Sequence, residues 1–238
     1  MKRPAVLDRI DRDLRKHEAL GRFRRTAAEA PDAARDLSTN SYLSLHTNPV
    51  VARAAAELYD TDLSGNCASR LIATRSSLYE RLERELADWK RCESALVFNS
   101  GYAANIGSIQ ALCGRGTEVF SDRLNHASIV DGIRLSGAKM NRYRHRDPND
   151  LAQRLRDSQT EEKVIITDTV FSMDGDQAPL KAICDLAEEH GALVMVDEAH
   201  ATGIFGKTLS GLVEELQLET RIPIRMGTLS KSAAGLGG

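Results

Sequence analysis

The sequence predicts an α/β fold in which a mostly parallel β-sheet is flanked by helices, and two observations carry this prediction. Short apolar runs alternate along the chain with amphipathic stretches of helical spacing. These apolar runs are continuous rather than alternating, which is typical of strands covered by helices on both faces of a sheet. With 238 residues, 42% of them hydrophobic, the chain is long enough to bury a sizeable core.

The individual elements are predicted from the same patterns. Strands are predicted at 95–98, 118–121, 140–143, 164–167 and 192–197, and a further short apolar segment covers 222–226. Helices are predicted at 6–24, 50–59, 78–89, 128–135, 149–157 and 180–190, and another begins within 100–105. Small and polar residues predict a loop at 63–69 and a linker at 29–34.

The composition argues against several classes of protein. The formal net charge is −2, so there is no basic excess to neutralise the phosphates of a nucleic acid. No apolar run approaches the roughly 20 residues of a membrane helix, and no apolar signal-peptide core follows the N-terminus. The four cysteines lie far apart, which argues against a zinc site or a disulfide framework. We therefore expect a cytoplasmic protein without metal, nucleic-acid or membrane partners.

Two acid–base residues follow the apolar run at 192–196. Asp197 comes directly after that run, and in open α/β sheets ligands bind at the carboxyl ends of the strands. A buried carboxylate there needs a cationic partner or several hydrogen-bond donors, and a protonated heteroaromatic nitrogen would serve. His200 follows three residues later. The alternative is that Asp197 caps the loop after its strand.

Lys231 lies among small residues in the segment GTLSK at 227–231. A lysine in a tight loop loses hydration, which lowers its pKa, and an uncharged amine forms a Schiff base with an aldehyde. The alternative is an ordinary surface lysine.

Three further positions are typical of ligand contacts. Ser100, Gly101 and Tyr102 lie between a predicted strand and a predicted helix, where backbone N–H groups bind anions. His126 precedes a helix and suits either stacking on a flat ring or capping that helix. Ser172 follows another strand end, although a turn alone also explains it.

Taken in order, these motifs resemble the α-oxoamine synthases, which use pyridoxal 5′-phosphate (PLP) to condense an amino acid with an acyl-CoA and release CO2. The match runs from about Leu37 to the last residue. It rests on STNSYLSL at 38–45, NSGYAAN at 99–105, DRLNHASIVDGIRLS at 122–136, TDTVFSMDGDQAPL at 167–180, VDEAHATGIFG at 196–206 and GTLSK at 227–231. The resemblance implies the PLP-dependent transferase fold type I, with an N-terminal helical segment at 1–36 and a PLP-binding large domain at 37–238.

The resemblance implies a role for each matching residue. Lys231 would form the Schiff base with PLP, and Asp197 would pair with the protonated pyridine nitrogen. His200 would bond the 3-oxygen of the ring, and His126 would stack on its face. The residues implied to hold the phosphate or other parts of PLP are Ser100, Gly101, Tyr102, Ser172 and Thr228, and Asn40 and Tyr42 match a motif near the substrate entrance.

The sequence also departs from the family at several places. The segment 207–210, KTLS, replaces a turn that usually contains Gly and Arg. Pro223 stands where Asp is common, and Tyr79 stands where many members have His.

The resemblance further implies that the large domain is incomplete at Gly238 and that the small C-terminal domain, with its carboxylate-binding arginine, is absent. Weak or absent activity is therefore expected.

Members of the family differ in their amino acid and acyl thioester. The expected type is an 8-amino-7-oxononanoate synthase of biotin biosynthesis, which uses alanine and an acyl-CoA, and a homodimer is implied because family sites lie at the subunit interface. Alternatives within the family are a glycine C-acetyltransferase, which uses glycine, and a serine palmitoyltransferase-like enzyme. A PLP enzyme of another branch, such as an aminotransferase or a lyase, and an inactive remnant are further alternatives.

Overall fold

The computed structural model describes residues 3–24, 38–59, 68–72 and 77–238, and they divide into two compact units, within 1–39 and within 40–238. In the first unit, helix α1 spans Ala5–Ala19. The predicted helix at 6–24 is therefore too long at its end, because Gly21 has a left-handed φ of 64° that glycine adopts without a Cβ clash. The predicted linker at 29–34, most of the loop at 63–69 and the domain boundary at 36–37 lie outside the described residues.

The second unit is built on a five-stranded parallel sheet with the order β2-β1-β3-β4-β5. Its strands are β1 (Glu118–Asp122), β2 (Lys139–Tyr143), β3 (Lys163–Asp168), β4 (Ala192–Asp197) and β5 (Ile224–Met226). This confirms the predicted α/β fold with a parallel sheet. β5 is shorter than the apolar segment at 222–226 because Pro223 has no N–H group for a ladder.

Helices and a short 3-10 turn connect these strands. They are α2 (Pro49–Tyr59), α3 (Ser77–Lys90), α4 (Gly101–Leu112), α5 (Ala127–Ser136), α6 (Pro148–Asp157), α7 (Leu180–His190), α8 (Leu212–Glu215) and the 3-10 turn Leu45–Thr47. The 3-10 turn and α8 escaped prediction because each is shorter than a detectable helical period. None of the described helices is both long and apolar enough to cross a bilayer.

Two buried clusters cover the two faces of the sheet. Successive side chains of a strand point to opposite faces, so Ile165 packs with α6 and α7 while Val164 and Ile166 pack with α4 and α5. Cys184 belongs to the first cluster and Cys113 to the second, and both thiols are free and buried. Continuous apolar strands are therefore explained by helices on both faces.

The predicted strand at 95–98 is wrong. In the described part of the chain this segment forms no ladder with a strand, and its clearest pairing is between Phe98 and Gly238, which exchange hydrogen bonds of 2.8 and 3.1 Å. An apolar run becomes a strand only where a neighbouring edge satisfies its backbone groups. Apolar residues alone do not reveal that neighbour.

The carboxyl ends of all five strands share one edge of the sheet, because the strands run in the same direction. Asp122 ends β1, Asp168 ends β3 and Asp197 ends β4. Asp168 and Asp197 are register partners on adjacent strands, and the segment 227–231 follows β5 on the same edge. From β1 the chain adds β2 on one side of the sheet and then adds β3, β4 and β5 on the other side. Ligand crevices lie at the carboxyl ends of the strands where the order reverses in this way, here between β1 and β3.

Candidate functional site

A cavity of about 180 Å³ lies at the carboxyl edge, and nine of the predicted site residues line it, whereas Asn40 and Tyr42 do not. The strand ends of β3 and β4, the first residues of α4 and α5 and the segment after β5 all contribute. The predicted residues brought together are Ser100, Gly101, Tyr102, His126, Ser172, Asp197, His200, Thr228 and Lys231.

A second cavity, of about 430 Å³, is larger but chemically poorer. Its lining is mainly apolar and includes Leu86, Trp89 and Phe98. Among the described residues that line it there is no Asp, Glu or His, so the acid–base chemistry belongs to the smaller cavity.

Asp197 is held at the floor of the site by two uncharged donors. The side-chain amide of Asn105 donates to Asp197 Oδ2 at 2.8 Å, and the backbone N–H of Ala199 donates to Oδ1 at 2.8 Å. The side chain is almost fully buried, and burial raises the pKa of Asp197 although these donors and Lys231 partly offset the rise. The structure thus supplies both the donors and the loop cap expected from the sequence.

Lys231 is partly buried beside this carboxylate. Burial lowers the pKa of the Lys231 amine, and the charges of Asp197 and Asp168 partly offset that change. The expected loss of hydration is therefore present, and the amine is a stronger candidate for covalent chemistry than an exposed lysine.

Two histidines line the same cavity in different electrostatic settings. Burial, together with the nearby Lys231 and His126, lowers the pKa of His200 to about 4, so its imidazole is neutral at pH 7. His126 caps α5, because its Nδ1 accepts from the Ser128 N–H at 3.3 Å. The capping alternative is confirmed for His126, and capping fixes its ring at the cavity wall.

The first turn of α4 offers an anion site. Ser100 caps the helix by accepting from the Ala103 N–H at 3.1 Å, and unpaired N–H groups at a helix start attract negative charge. A Cβ at Gly101 would lie 3.3 Å from the Cβ and Oγ1 of Thr228, so glycine keeps this wall open. The Tyr102 hydroxyl donates to Asp131 at 2.7 Å.

The cavity lining also contains residues that were not predicted from the sequence, among them Asp168, Asn105 and Ser128. Asp168 is buried and accepts from the His126 N–H at 2.8 Å, and burial with the neighbouring Asp197 raises the pKa of Asp168 to about 8. Asn105 donates to both Asp197 and Ser128, while its buried Oδ1 has no partner among the residues that the structure describes. Asp168 could have been predicted, because it follows an apolar run as Asp197 does. The sequence pattern around Asn105 and Ser128 does not indicate that they line a site.

Comparison with known proteins identifies the family of the chain. The family model for aminotransferase class I and II matches residues 34–238. The 8-amino-7-oxononanoate synthase of Trichlorobacter lovleyi is 50% identical over 200 residues, which are 84% of this chain and 51% of the relative. That of Anaeromyxobacter sp. is 44% identical over 98% of this chain and 61% of the relative. The chain spans about half the length of most of the curated relatives that it matches.

Solved structures of this group share the fold. Serine palmitoyltransferase from Sphingomonas wittichii superimposes with a TM-score of 0.89 at 33% identity, over 98% of this chain and 62% of that one. A variant serine palmitoyltransferase from S. paucimobilis with a bound PLP–myriocin aldimine gives a TM-score of 0.87 at 32% identity, over 100% of this chain and 63% of that one. The predicted fold type I and the resemblance to α-oxoamine synthases are thereby confirmed. The chain belongs to the aminotransferase class I and II family, and its relatives there include α-oxoamine synthases.

Proposed function

We propose that the cavity at the carboxyl edge binds PLP and that Lys231 bonds to it covalently. The observation that carries the proposal is that Asp197 and Lys231 line one cavity. Both donors to Asp197 are uncharged, so a protonated ring nitrogen would supply the positive charge that a buried carboxylate needs. The first turn of α4 suits the phosphate, and a similar serine palmitoyltransferase carries PLP.

The residues around the cavity then have distinct tasks. PLP, when bound, supplies an electron sink for the bonds at the substrate α-carbon. Asp197 would keep the ring nitrogen protonated, and His126 would lie against the ring face. Lys231, once free, holds the substrate α-proton at its Nζ, a task for which a lowered amine pKa is suited. Ser100, Gly101, Tyr102, Ser172 and Thr228 bind and orient the cofactor.

For the whole protein we propose the α-oxoamine synthase reaction, in which an amino acid condenses with an acyl thioester and both the free thiol and CO2 leave. The favoured type is 8-amino-7-oxononanoate synthase with alanine as the amino acid, because relatives of that name are 44–50% identical. A serine palmitoyltransferase type is the second candidate, favoured by the structural similarity.

Covalent trapping tests the cofactor proposal. The protein is mixed with PLP, reduced with borohydride, digested and mapped by mass spectrometry. We expect the pyridoxyl group on Lys231 and its loss in Lys231→Ala, whereas the exposed Lys207→Ala keeps it. A label on a different lysine as the main product would overturn the assignment.

Substrate choice is tested by pairing amino acids with acyl thioesters. We expect condensation and CO2 release to be fastest with alanine and a pimeloyl thioester. Faster reaction with glycine and an acetyl thioester, or with serine and a palmitoyl thioester, would point to the other types. Amino-group transfer to a keto acid without a thioester would place the chain in another branch of PLP enzymes, and no reaction with PLP would favour a remnant.

We further propose a cytoplasmic homodimer. Helix α1 supports an interface, because it has no buried residue and its apolar Val6, Ile10 and Leu14 are each at least 40% exposed. Light scattering after gel filtration tests the dimer, and a monomeric mass at micromolar concentration would contradict it.

A further inference from the structure

Tyr42 contacts a cavity residue without lining the cavity itself. Its hydroxyl lies 2.7 Å from Nδ1 of His200, and the two rings are tilted by 60° with centroids 6.2 Å apart. The same hydroxyl lies 3.3 Å from Oδ1 of Asn40. Tyr42 therefore joins the segment at 40–44 to the loop that follows β4, 158 positions away along the chain.

This contact matters because the imidazole of His200 is neutral. A neutral imidazole has one N–H group and one acceptor nitrogen, so its two tautomers present opposite groups to a ligand. Nδ1 is engaged by Tyr42, which leaves Nε2 as the nitrogen available to a molecule in the cavity. The partner of Nδ1 thus determines whether Nε2 donates or accepts.

The hydroxyl of Tyr42 has one proton for two neighbouring acceptors. Its distance to His200 Nδ1 is within the normal range of a strong O–H···N bond, whereas 3.3 Å to Asn40 is long for an O–H donor. Donation to Nδ1 makes that nitrogen the acceptor, and the proton of the ring is then on Nε2.

We propose that Tyr42 is a positioning residue that holds His200 in the Nε2–H tautomer and so gives the cavity a hydrogen-bond donor. The inference rests on the proposed function only for the identity of the acceptor, which would be an anionic ring oxygen of PLP. A donor is the group that such an oxygen requires, and a bare Nε2 lone pair would repel it.

The tautomer is measurable by ¹⁵N NMR of the imidazole groups in the protein without PLP. The His200 signals are assigned by their disappearance in His200→Gln. We expect the Nε2–H pattern for His200 in the unmodified chain and at least a 3-fold rise in the Nδ1–H form in Tyr42→Phe. Tyr79→Phe is the matched control and leaves the pattern unchanged. An Nδ1–H form as the main species in the unmodified chain, or an unchanged proportion of the Nδ1–H form in Tyr42→Phe, overturns the proposal.

A second variant keeps the test decisive if Tyr42→Phe fails to fold. Asn40→Ala removes the competing acceptor, so the Nε2–H form should persist, and a rise in the Nδ1–H form would overturn the proposal. PLP affinity gives a separate readout, with about a 3- to 10-fold loss expected in Tyr42→Phe for one hydrogen bond. Absence of PLP binding in the unmodified chain would contradict the proposed function but leave the tautomer result standing.

Discussion

The charges of individual residues set the chemistry of the cavity. Asp168 and Asp197 are register partners on adjacent strands, and both line the cavity with Lys231. Two buried carboxylates this close do not ionise independently, so the pair and the amine share their protons. Burial and the neighbouring Asp197 raise the pKa of Asp168 to about 8, so Asp168 favours its protonated form at neutral pH.

Asp168→Asn should therefore stabilise the protein at alkaline pH. The folded carboxyl keeps its proton up to about pH 8, whereas an unfolded one releases it near pH 4, so this group lowers stability as pH rises through that window. An amide does not titrate, and its oxygen still accepts from the His126 N–H. We expect a gain above about 1.4 kcal/mol at pH 8, the value of one pKa unit, that shrinks towards pH 5.

Urea unfolding at pH 5 and pH 8 measures this difference. Asp88→Asn, at an exposed aspartate of α3, is the control and should change neither value by more than about 0.5 kcal/mol. An equal effect of Asp168→Asn at both pH values would show that Asp168 is ionised throughout.

Residues of this cavity differed in how readily the sequence revealed them. Asp197 and Lys231 fit recognisable patterns, namely an acid after an apolar strand and a lysine among small residues. The remaining predicted site residues were supported by the family motifs. Asp168 carries the same strand-end signal as Asp197. Asn105 carries none, because it lies inside α4 and its partner Asp197 is 92 positions away. Long-range pairing of this kind depends on the packing of α4 on the sheet, which periodicity does not encode.

At the scale of elements, the loop between β4 and α8 is organised by Glu214. The Glu214 carboxylate accepts from the backbone N–H and side-chain hydroxyl groups of Thr208 and Ser210, at distances of 2.9–3.2 Å. A Cβ at Gly206 would lie 2.2 Å from the same carboxylate, so only glycine fits there. The departure from the family at 207–210 therefore has a structural account, since Thr208 and Ser210 satisfy a buried charge.

Glu214→Gln should loosen this loop at neutral pH. Burial opposes ionisation of Glu214, but the four donor groups outweigh it and lower the pKa to about 2, below the ordinary 4.5. The carboxylate therefore contributes stability above pH 4.5 that is lost as pH falls towards 2. An amide cannot accept all four bonds, and we expect a loss of about 1–3 kcal/mol at pH 7.

The pH dependence separates this effect from a general packing defect. Thermal unfolding at pH 7 and pH 3 should show a smaller difference between Glu214→Gln and the unmodified chain at the lower pH. Glu215→Gln is the neighbouring control, because Glu215 accepts one bond of 3.2 Å from Gly206 and lies nearer solvent. If the difference in stability is as large at pH 3 as at pH 7, the loss comes from the changed shape of the side chain and not from its missing charge.

At the scale of the second unit, the parallel sheet makes one site from distant parts of the chain. The residues that line the cavity range from Ser100 to Lys231 along the chain. They come from both sides of the point at which the strand order reverses. A molecule that contacts the ends of β3 and β4 together with the segment after β5 adds contacts between elements that the sheet already joins. Occupation of the cavity should therefore stabilise the whole sheet.

PLP should accordingly raise the unfolding temperature of the protein. A ligand at 100 times its Kd adds about 2.7 kcal/mol to the folded state, which for a unit of this size corresponds to a rise of about 5–10 °C. Pyridoxal lacks the phosphate that we assign to the first turn of α4, and at the same concentration it should give less than half of that rise. Lys231→Ala should also reduce the shift, because the covalent bond is lost. An equal rise with pyridoxal would exclude the α4 anion site, since the phosphate would then contribute nothing to binding.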